Sequence, residues 1–259
     1  MRETLEFPDL LRLIDERSTA FLAAVASAPS LDAPVPTCPE WTLFDLVRHL
    51  GTGRRAWAAT VAAGPGATSK VIPEGAPAAP REREALLAWM AESTRELLDA
   101  LREAGPDRGC WVGWGDSQSP PTSGAVARHQ VQEFAVHTYD AQLTAGAPLP
   151  LPEEVALDGV EEFEFTCCAT TSPWPHEPAI VDYHATEGRS WRLWLSETGA
   201  RVVRLPEPGV PADGEPANAS IRATASDLVL VFYNRVPLDS LEVGGDRLVI
   251  DRLVEWEPE

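Results

Sequence analysis

Apolar residues recur at helical spacing through the first half of the chain and at strand spacing through much of the second. Leu10, Leu11, Ile14, Phe21, Leu22 and Val25 share one face of a helix near 6–28. A proline-bearing connection from Pro29 to Glu40 follows. Thr42 and Asp45 then make a capping-box-like Thr-x-x-Asp, with Asp where Glu or Gln is usual, and open a helix over about 43–63. Residues 64–80 are rich in Gly, Pro and Ala and read as a long loop, either a mobile lid or a plain linker. Leu86, Leu87, Met90, Leu97, Leu98 and Leu101 place a third helix near 81–104, stopped by Gly105-Pro106. The stretch 110–115 is irregular and aromatic, and a fourth helix spans about 122–145 and ends at Gly146. Four helices of this length in this order predict an up-down bundle.

The pattern changes after Pro148-Leu149-Pro150. A short helix is expected near 152–166, with Pro152 in its first turn. Residues 179–185 alternate as a strand, and 191–195 with 201–205 flank Thr198-Gly199 as a hairpin. A proline-rich loop runs from Leu205 to Pro216, then comes a strand at 219–223. Ser226-Asp227 cap a helix through Phe232, and 241–254 is a strand hairpin or a strand leading into a terminal helix. The expected fold class is therefore a two-domain α+β protein: a four-helix bundle over 1–148 and a small α+β domain with an antiparallel sheet over 149–259.

Composition narrows the function classes. The chain has 259 residues, 44% of them hydrophobic, enough for a real core. A formal charge of −19, from 40 acidic and 21 basic residues, repels phosphate backbones and argues against nucleic acid as a partner. No apolar run approaches the ~20 residues that span a bilayer, and the first residues carry no apolar signal core. Cys38, Cys110, Cys167 and Cys168 form no C-x-x-C pair or disulfide framework and read as small hydrophobes. A reduced, cytoplasmic protein is the expectation, as a monomer or homodimer.

The chemistry-bearing residues cluster in the bundle helices. Glu133 and His137 stand one turn apart in the fourth helix and so share a face. Only five histidines occur, and His49 lies two turns into the second helix. Metal sites in bundles are built from side chains on facing helices, so His49, Glu133 and His137 make a candidate His₂Glu set, which holds a catalytic zinc with an open position. Asp45, one turn before His49, is placed to accept its second N–H. His129 precedes Glu133 by one turn; three ligands on one straight helix would span two turns, so a supporting or surface role is expected. Against this stands the bland reading, in which Glu-x-x-x-His is an ordinary surface pair and His49 is structural.

Two motifs resemble a known family. Cys38-Pro39-Glu40-Trp41-Thr42-Leu43-Phe44-Asp45-Leu46-Val47-Arg48-His49-Leu50 is similar to the C-P-x-W-[ST]-x-x-D-L-[VL]-x-H-[LV] pattern of the mycothiol-dependent maleylpyruvate isomerase family. Glu133 to Ala141 resembles its E-x-x-x-H-x-x-D-A run. The resemblance implies a DinB-like bundle followed by a C-terminal domain, similar to sterol-carrier folds, that helps close the site. It places the metal ligands on His49, Glu133 and His137, with Zn²⁺ or another divalent ion bound. It also implies mycothiol as the low-molecular-weight thiol and a small electrophile, maleylpyruvate-like, as substrate. Arg235, in Phe232 to Pro237, matches a recurring arginine of that family and is a candidate catalytic anchor for an anion. Gln132 and Thr138 depart from the family, which has His or Arg before the glutamate and Arg after the second histidine.

A metal with an open position lowers the pKa of a bound thiol, and the thiolate adds to an electrophilic carbon. Elimination after rotation gives an isomerase; a stable thioether gives an S-transferase. Trp41 and Trp57 are expected in the core; Arg54 and Arg55 either face the mouth of the site or, the favoured reading, lie on a solvated helix face. A non-catalytic DinB-like metal- or ligand-binding protein, or a regulator, is the alternative from another class. A C-x-x-C or His-x-x-x-Cys-x-x-Cys pattern would favour it, and neither is present.

Overall fold

The computed structural model describes residues 5–205 and 215–257. The loop expected over 205–216 falls largely outside them. The chain divides into two compact units, one of residues 1–113 and 121–151, the other of 114–120 and 152–259.

The first unit is the bundle. Helix α1 (Phe7–Ser27) starts with Pro8 in its first turn and buries Leu10, Leu13, Ile14, Phe21 and Val25. Helix α2 (Leu43–Ala63) opens on the expected box: Thr42 accepts from the Asp45 N–H, and Asp45 accepts from the Thr42 N–H. The shorter Asp reaches the backbone as well as Glu would. Helix α3 (Arg83–Ala104) begins two residues later than its apolar pattern suggests, because Glu82 caps it by accepting from the N–H groups of Glu84 and Ala85. Gly105, at φ 70°, terminates it in a conformation that disfavours side chains. Helix α4 (Ser123–Thr144) is capped by Thr122. The helices pack as α1 on α4 and α2 on α3, with α1 also against α3 and α2 against α4.

The expected connection over 29–40 holds a small antiparallel ribbon, β1 (Pro34–Val35) with β2 (Cys38–Thr42). The long loop is attached at both ends: Val71 N–H donates to Thr60 Oγ1 at 2.8 Å and Trp89 Nε1 donates to the Pro77 carbonyl at 2.8 Å. Arg54 and Arg55 are not solvated; they are 1% and 4% exposed. Arg55 pairs with Glu96 at 3.2 Å and lies over Trp89, while Arg54 donates to Thr94 Oγ1 at 2.6 Å and lies against Phe134. Their stems cover apolar surface inside the bundle, where a helix position that looks polar is packed on several sides.

The second unit begins with α5 (Glu153–Phe163), whose last turn widens into a π-helical turn over Glu164–Cys168. Cys167 is exposed and Cys168 half-buried, so the pair is less enclosed than expected; both are free thiols, as are Cys38 and the buried Cys110. Strands β3 (Ala179–Ala185), β4 (Ser190–Ser196), β5 (Gly199–Arg204), β6 (Ala219–Ala223) and β7 (Glu242–Gly245) form one sheet in the order β5-β4-β3-β6-β7. The β4–β5 hairpin turns at Glu197-Thr198, as Thr198-Gly199 predicts. Three pairings are antiparallel; β3 and β6 run parallel, because the chain between them crosses over instead of turning back. Helix α6 (Ala225–Phe232) packs on α5, and the terminal element is the strand β7 leading into a helix, α7 (Arg247–Glu255). Among the described residues no helix is long and apolar enough to cross a membrane.

Asp182 and Arg192 are directly opposed on β3 and β4. The fully buried Arg192 donates to both carboxylate oxygens, at 2.7 and 2.8 Å. Asp182→Ala would leave that guanidinium buried without a counter-charge. The expected loss is about 3–5 kcal/mol of stability, read as a lowered urea midpoint; a change within ~0.5 kcal/mol would show the pair to be incidental.

Candidate metal centre

Helix α4 buries polar residues on several faces, among them Gln130, Gln132, His137, Thr138 and Asp140. A helix that does this must find hydrogen-bond partners inside the bundle or host a ligand there. It does both. His49 from α2 meets Glu133 and His137 from α4, and one ligand atom from each lies within 4.8 Å of the others. His137 Nε2 is 3.4 Å from Glu133 Oε2. Two ligands bound 2.0–2.2 Å from one tetrahedral ion stand about 3.4 Å apart, so this pair already has the spacing.

The tautomer of His137 is set from behind. Its Nδ1–H donates to Asp140 Oδ2 at 2.8 Å, and the other carboxylate oxygen accepts from the Thr37 hydroxyl at 2.6 Å. Nε2, facing Glu133, is therefore the nitrogen left for a proton or a metal ion. Metal-ligating imidazoles are usually held this way. Sequence reasoning placed a carboxylate behind the wrong histidine. Asp45 is occupied by the helix cap and by Arg48, at 2.9 Å, and Asp140 supports His137 instead. The signal was present: Asp140 follows His137 by three residues, on the same face.

The ribbon completes the surroundings. Its turn carries Thr37 to Asp140 and its end carries Trp41 to the cluster, with ring centroids 4.8 Å from His49 and 6.5 Å from His137. Trp41 is half-buried, a wall of the site more than a core residue, while Trp57 is buried as expected. His129 Nε2 stands 3.8 Å from Glu133 Oε1, which fits a supporting role. Thr138 donates to the Arg17 carbonyl on α1, so its departure from the family motif falls on a bundle contact. Arg235 belongs to the second unit, where it donates to the Tyr233 carbonyl at 2.6 Å beside Asn234, which is left-handed at φ 58°.

The three groups differ in how their surroundings set their protonation. Burial pushes the Glu133 carboxyl up, but the His137 hydrogen bond and the neighbouring imidazoles outweigh it and hold it at about 2. Burial pushes His49 down, and His137 pushes it down further, which keeps it in the ligating form. Burial also disfavours charge on His137, yet Asp140 and Glu133 prevail and raise it above its usual 6.5. Lys70, the one lysine, sits on the 64–80 loop with Nζ 4.7 Å from the Trp57 ring centre, and its charge is felt by both Glu133 and His49.

Two family models match the sequence. The mycothiol maleylpyruvate isomerase N-terminal domain covers residues 11–142, and the C-terminal domain of the same family covers 154–252. The chain belongs to this family. Two crystal structures titled as mycothiol-dependent maleylpyruvate isomerase, one of them a histidine-to-alanine mutant, share the fold of this family member. They superpose with a TM-score of 0.57 at 13% and 12% identity, over 94% of this chain and 96% of theirs. No curated protein matches the sequence. The His49 motif lies wholly within the first matched domain, and so do Glu133 and His137.

Metal content is the direct check on the cluster. Protein loaded with Zn²⁺ and dialysed is expected to retain about one equivalent, and His49→Ala to lose it, as read by plasma mass spectrometry. Affinity should fall with pH, because a proton competes for His137 Nε2 and the raised pKa starts that competition above pH 6.5. Asp140→Asn should weaken binding about 10–100-fold while leaving the fold intact. Full retention by His49→Ala, or pH-independent affinity, contradicts the ligand set.

Proposed function

We propose that this family member is an enzyme that uses a divalent metal, read as Zn²⁺, and mycothiol to act on a small anionic electrophile such as maleylpyruvate. The observation that carries the reading is the His49, Glu133 and His137 cluster with Asp140 behind it. Three protein ligands of this type leave a coordination position open, unlike the closed four-ligand sets of structural sites. A divalent ion bound there would lower the pKa of a coordinated thiol and so supply a nucleophile at neutral pH.

The residues have distinct tasks. Asp140, steadied by Thr37, keeps the His137 lone pair directed inward. Trp41 stands beside the exposed His49 as one wall of the cluster. Lys70 supplies a cation for a substrate carboxylate in an otherwise acidic protein, and Arg235 is proposed as a catalytic residue on the resemblance of its motif to the family's. For the isomerase reaction, sulfur bonds to one carbon of the cis double bond and the electron pair moves into the conjugated carbonyl. Rotation follows about the resulting single bond. Return of the pair then expels the thiol, so mycothiol is regenerated. In an S-transferase outcome the thioether is kept and mycothiol is consumed.

Metal-loaded protein is assayed with mycothiol and either maleylpyruvate or the neutral electrophile monochlorobimane. Thiol-dependent turnover of maleylpyruvate without thiol consumption is the expected result. Lys70→Met and Arg235→Ala should each raise KM for maleylpyruvate by about 10–100-fold, the worth of a hydrogen bond to a charged group, and leave monochlorobimane turnover unchanged. Absence of thiol-dependent turnover with both electrophiles would move the chain to the metal- or ligand-binding class.

A further inference from the structure

The second unit contains a cavity that the proposed reaction does not use. Its volume is about 230 Å³, and Phe163, Tyr183, Ile221, Phe232, Ile250 and Trp256 line it. The walls come from α5, β3, β6, α6 and the segment around α7. Phe163 and Phe232 stack at 4.8 Å with their planes 12° apart, and Tyr183 meets Phe232 edge-on at 5.4 Å. Among the described residues no charged side chain lines the cavity.

Two local departures from regular structure converge on it. Cys168, at the end of the π-helical turn, forms part of the wall. Wide turns of this kind are uncommon and frequent at functional sites. Asn234 also lines the cavity, and among the described residues it alone, apart from glycines, has a positive φ, 58°. Such conformations persist where surroundings impose them. Tyr183 is 3% exposed, and it too belongs to the cavity wall. A phenol hydroxyl is a hydrogen-bond donor, so Tyr183 gives this otherwise apolar wall a polar group that a bound molecule can engage.

Size and charge limit what fits. The volume exceeds the ~150 Å³ of an apolar cavity that takes benzene and falls short of the ~300 Å³ at which drug-sized pockets begin. Burial raises the pKa of Tyr183, Cys168 and the neighbouring Glu164 well above their ordinary values, so the surroundings disfavour an anion. The Glu164 carboxyl itself is fully buried with neither oxygen hydrogen-bonded. A carboxylate substrate is therefore the wrong occupant.

We propose that this cavity binds a neutral aromatic molecule of one or two rings that carries one hydrogen-bond acceptor for the Tyr183 hydroxyl. The aromatic walls supply the apolar contact, and Tyr183 sets the orientation. The proposal is independent of the metal centre and of the reaction assigned to it.

The test uses the full chain and an isosteric pair, 1-indanone, which has an acceptor, and indane, which lacks one. Calorimetric titration should show saturable one-to-one binding of 1-indanone, abolished in Ile221→Trp, whose larger side chain fills the cavity. In Tyr183→Phe the affinity for 1-indanone should fall about fivefold, the worth of one neutral hydrogen bond, while that for indane stays unchanged. No saturable binding, undiminished binding by a folded Ile221→Trp, or equal losses for both molecules in Tyr183→Phe would overturn the proposal. Tighter binding of decanoate than of 1-indanone would also overturn it, in favour of an acyl-chain site. If Ile221→Trp does not fold, the comparison of the two molecules in Tyr183→Phe decides.

Discussion

His137 and Asp140 stand three residues apart on α4, and their 2.8 Å hydrogen bond determines which imidazole nitrogen is available to a ligand. With Nδ1 committed to the carboxylate, Nε2 is the nitrogen left for a metal ion once its proton is lost, and it faces Glu133 and His49. Thr37 occupies the other Asp140 oxygen, so the carboxylate has little freedom to turn away. The cluster thus depends on a chain of contacts that starts in the β1–β2 ribbon and ends at the imidazole. The open-site chemistry described above requires that chain, because a rotated His137 would leave only His49 and Glu133 in place.

The bundle supports this arrangement at an electrostatic cost. Arg54 is buried in the core, and Glu133 is the counter-charge that favours its charged form. A guanidinium remains protonated in proteins. A fully desolvated cation near the ligand cluster would reduce what the carboxylate alone contributes to metal affinity. It also ties the Glu133 side of the site to α3 through Thr94, and to α1 through the 2.9 Å contact of Thr94 with Ser18. The three helices around α4 are therefore linked to the ligand set by polar contacts as well as by apolar packing.

Much of this was legible from residue spacing. The four bundle helices follow from 3.6-residue periodicity bounded by Thr42, Gly105 and Thr122, and the ligand trio follows from Glu133 and His137 one turn apart opposite a histidine on a facing helix. What spacing could not show were contacts between elements distant in sequence. The ribbon over 34–42 is too short to carry an alternating pattern, so its delivery of Thr37 and Trp41 to the cluster was hidden. Arg54 and Arg55 look solvated because charge is normally excluded from a core; only the packed bundle shows that their stems run through it. Asp45 was read as a partner of His49 from its one-turn offset, but an N-cap competes for the same carboxylate and wins. The parallel pairing of β3 with β6 depends on a crossover that strand periodicity does not encode. The cavity beside Tyr183 is assembled from five elements and left no motif.

The central claim is that His49, Glu133 and His137 hold one divalent ion. Anomalous diffraction at the zinc edge, from crystals of the zinc-loaded protein, tests it most directly. The account predicts one strong peak 2.0–2.2 Å from an imidazole nitrogen of His49, His137 Nε2 and a Glu133 oxygen. A peak bound by other residues, or none at this cluster in zinc-loaded crystals, would contradict it.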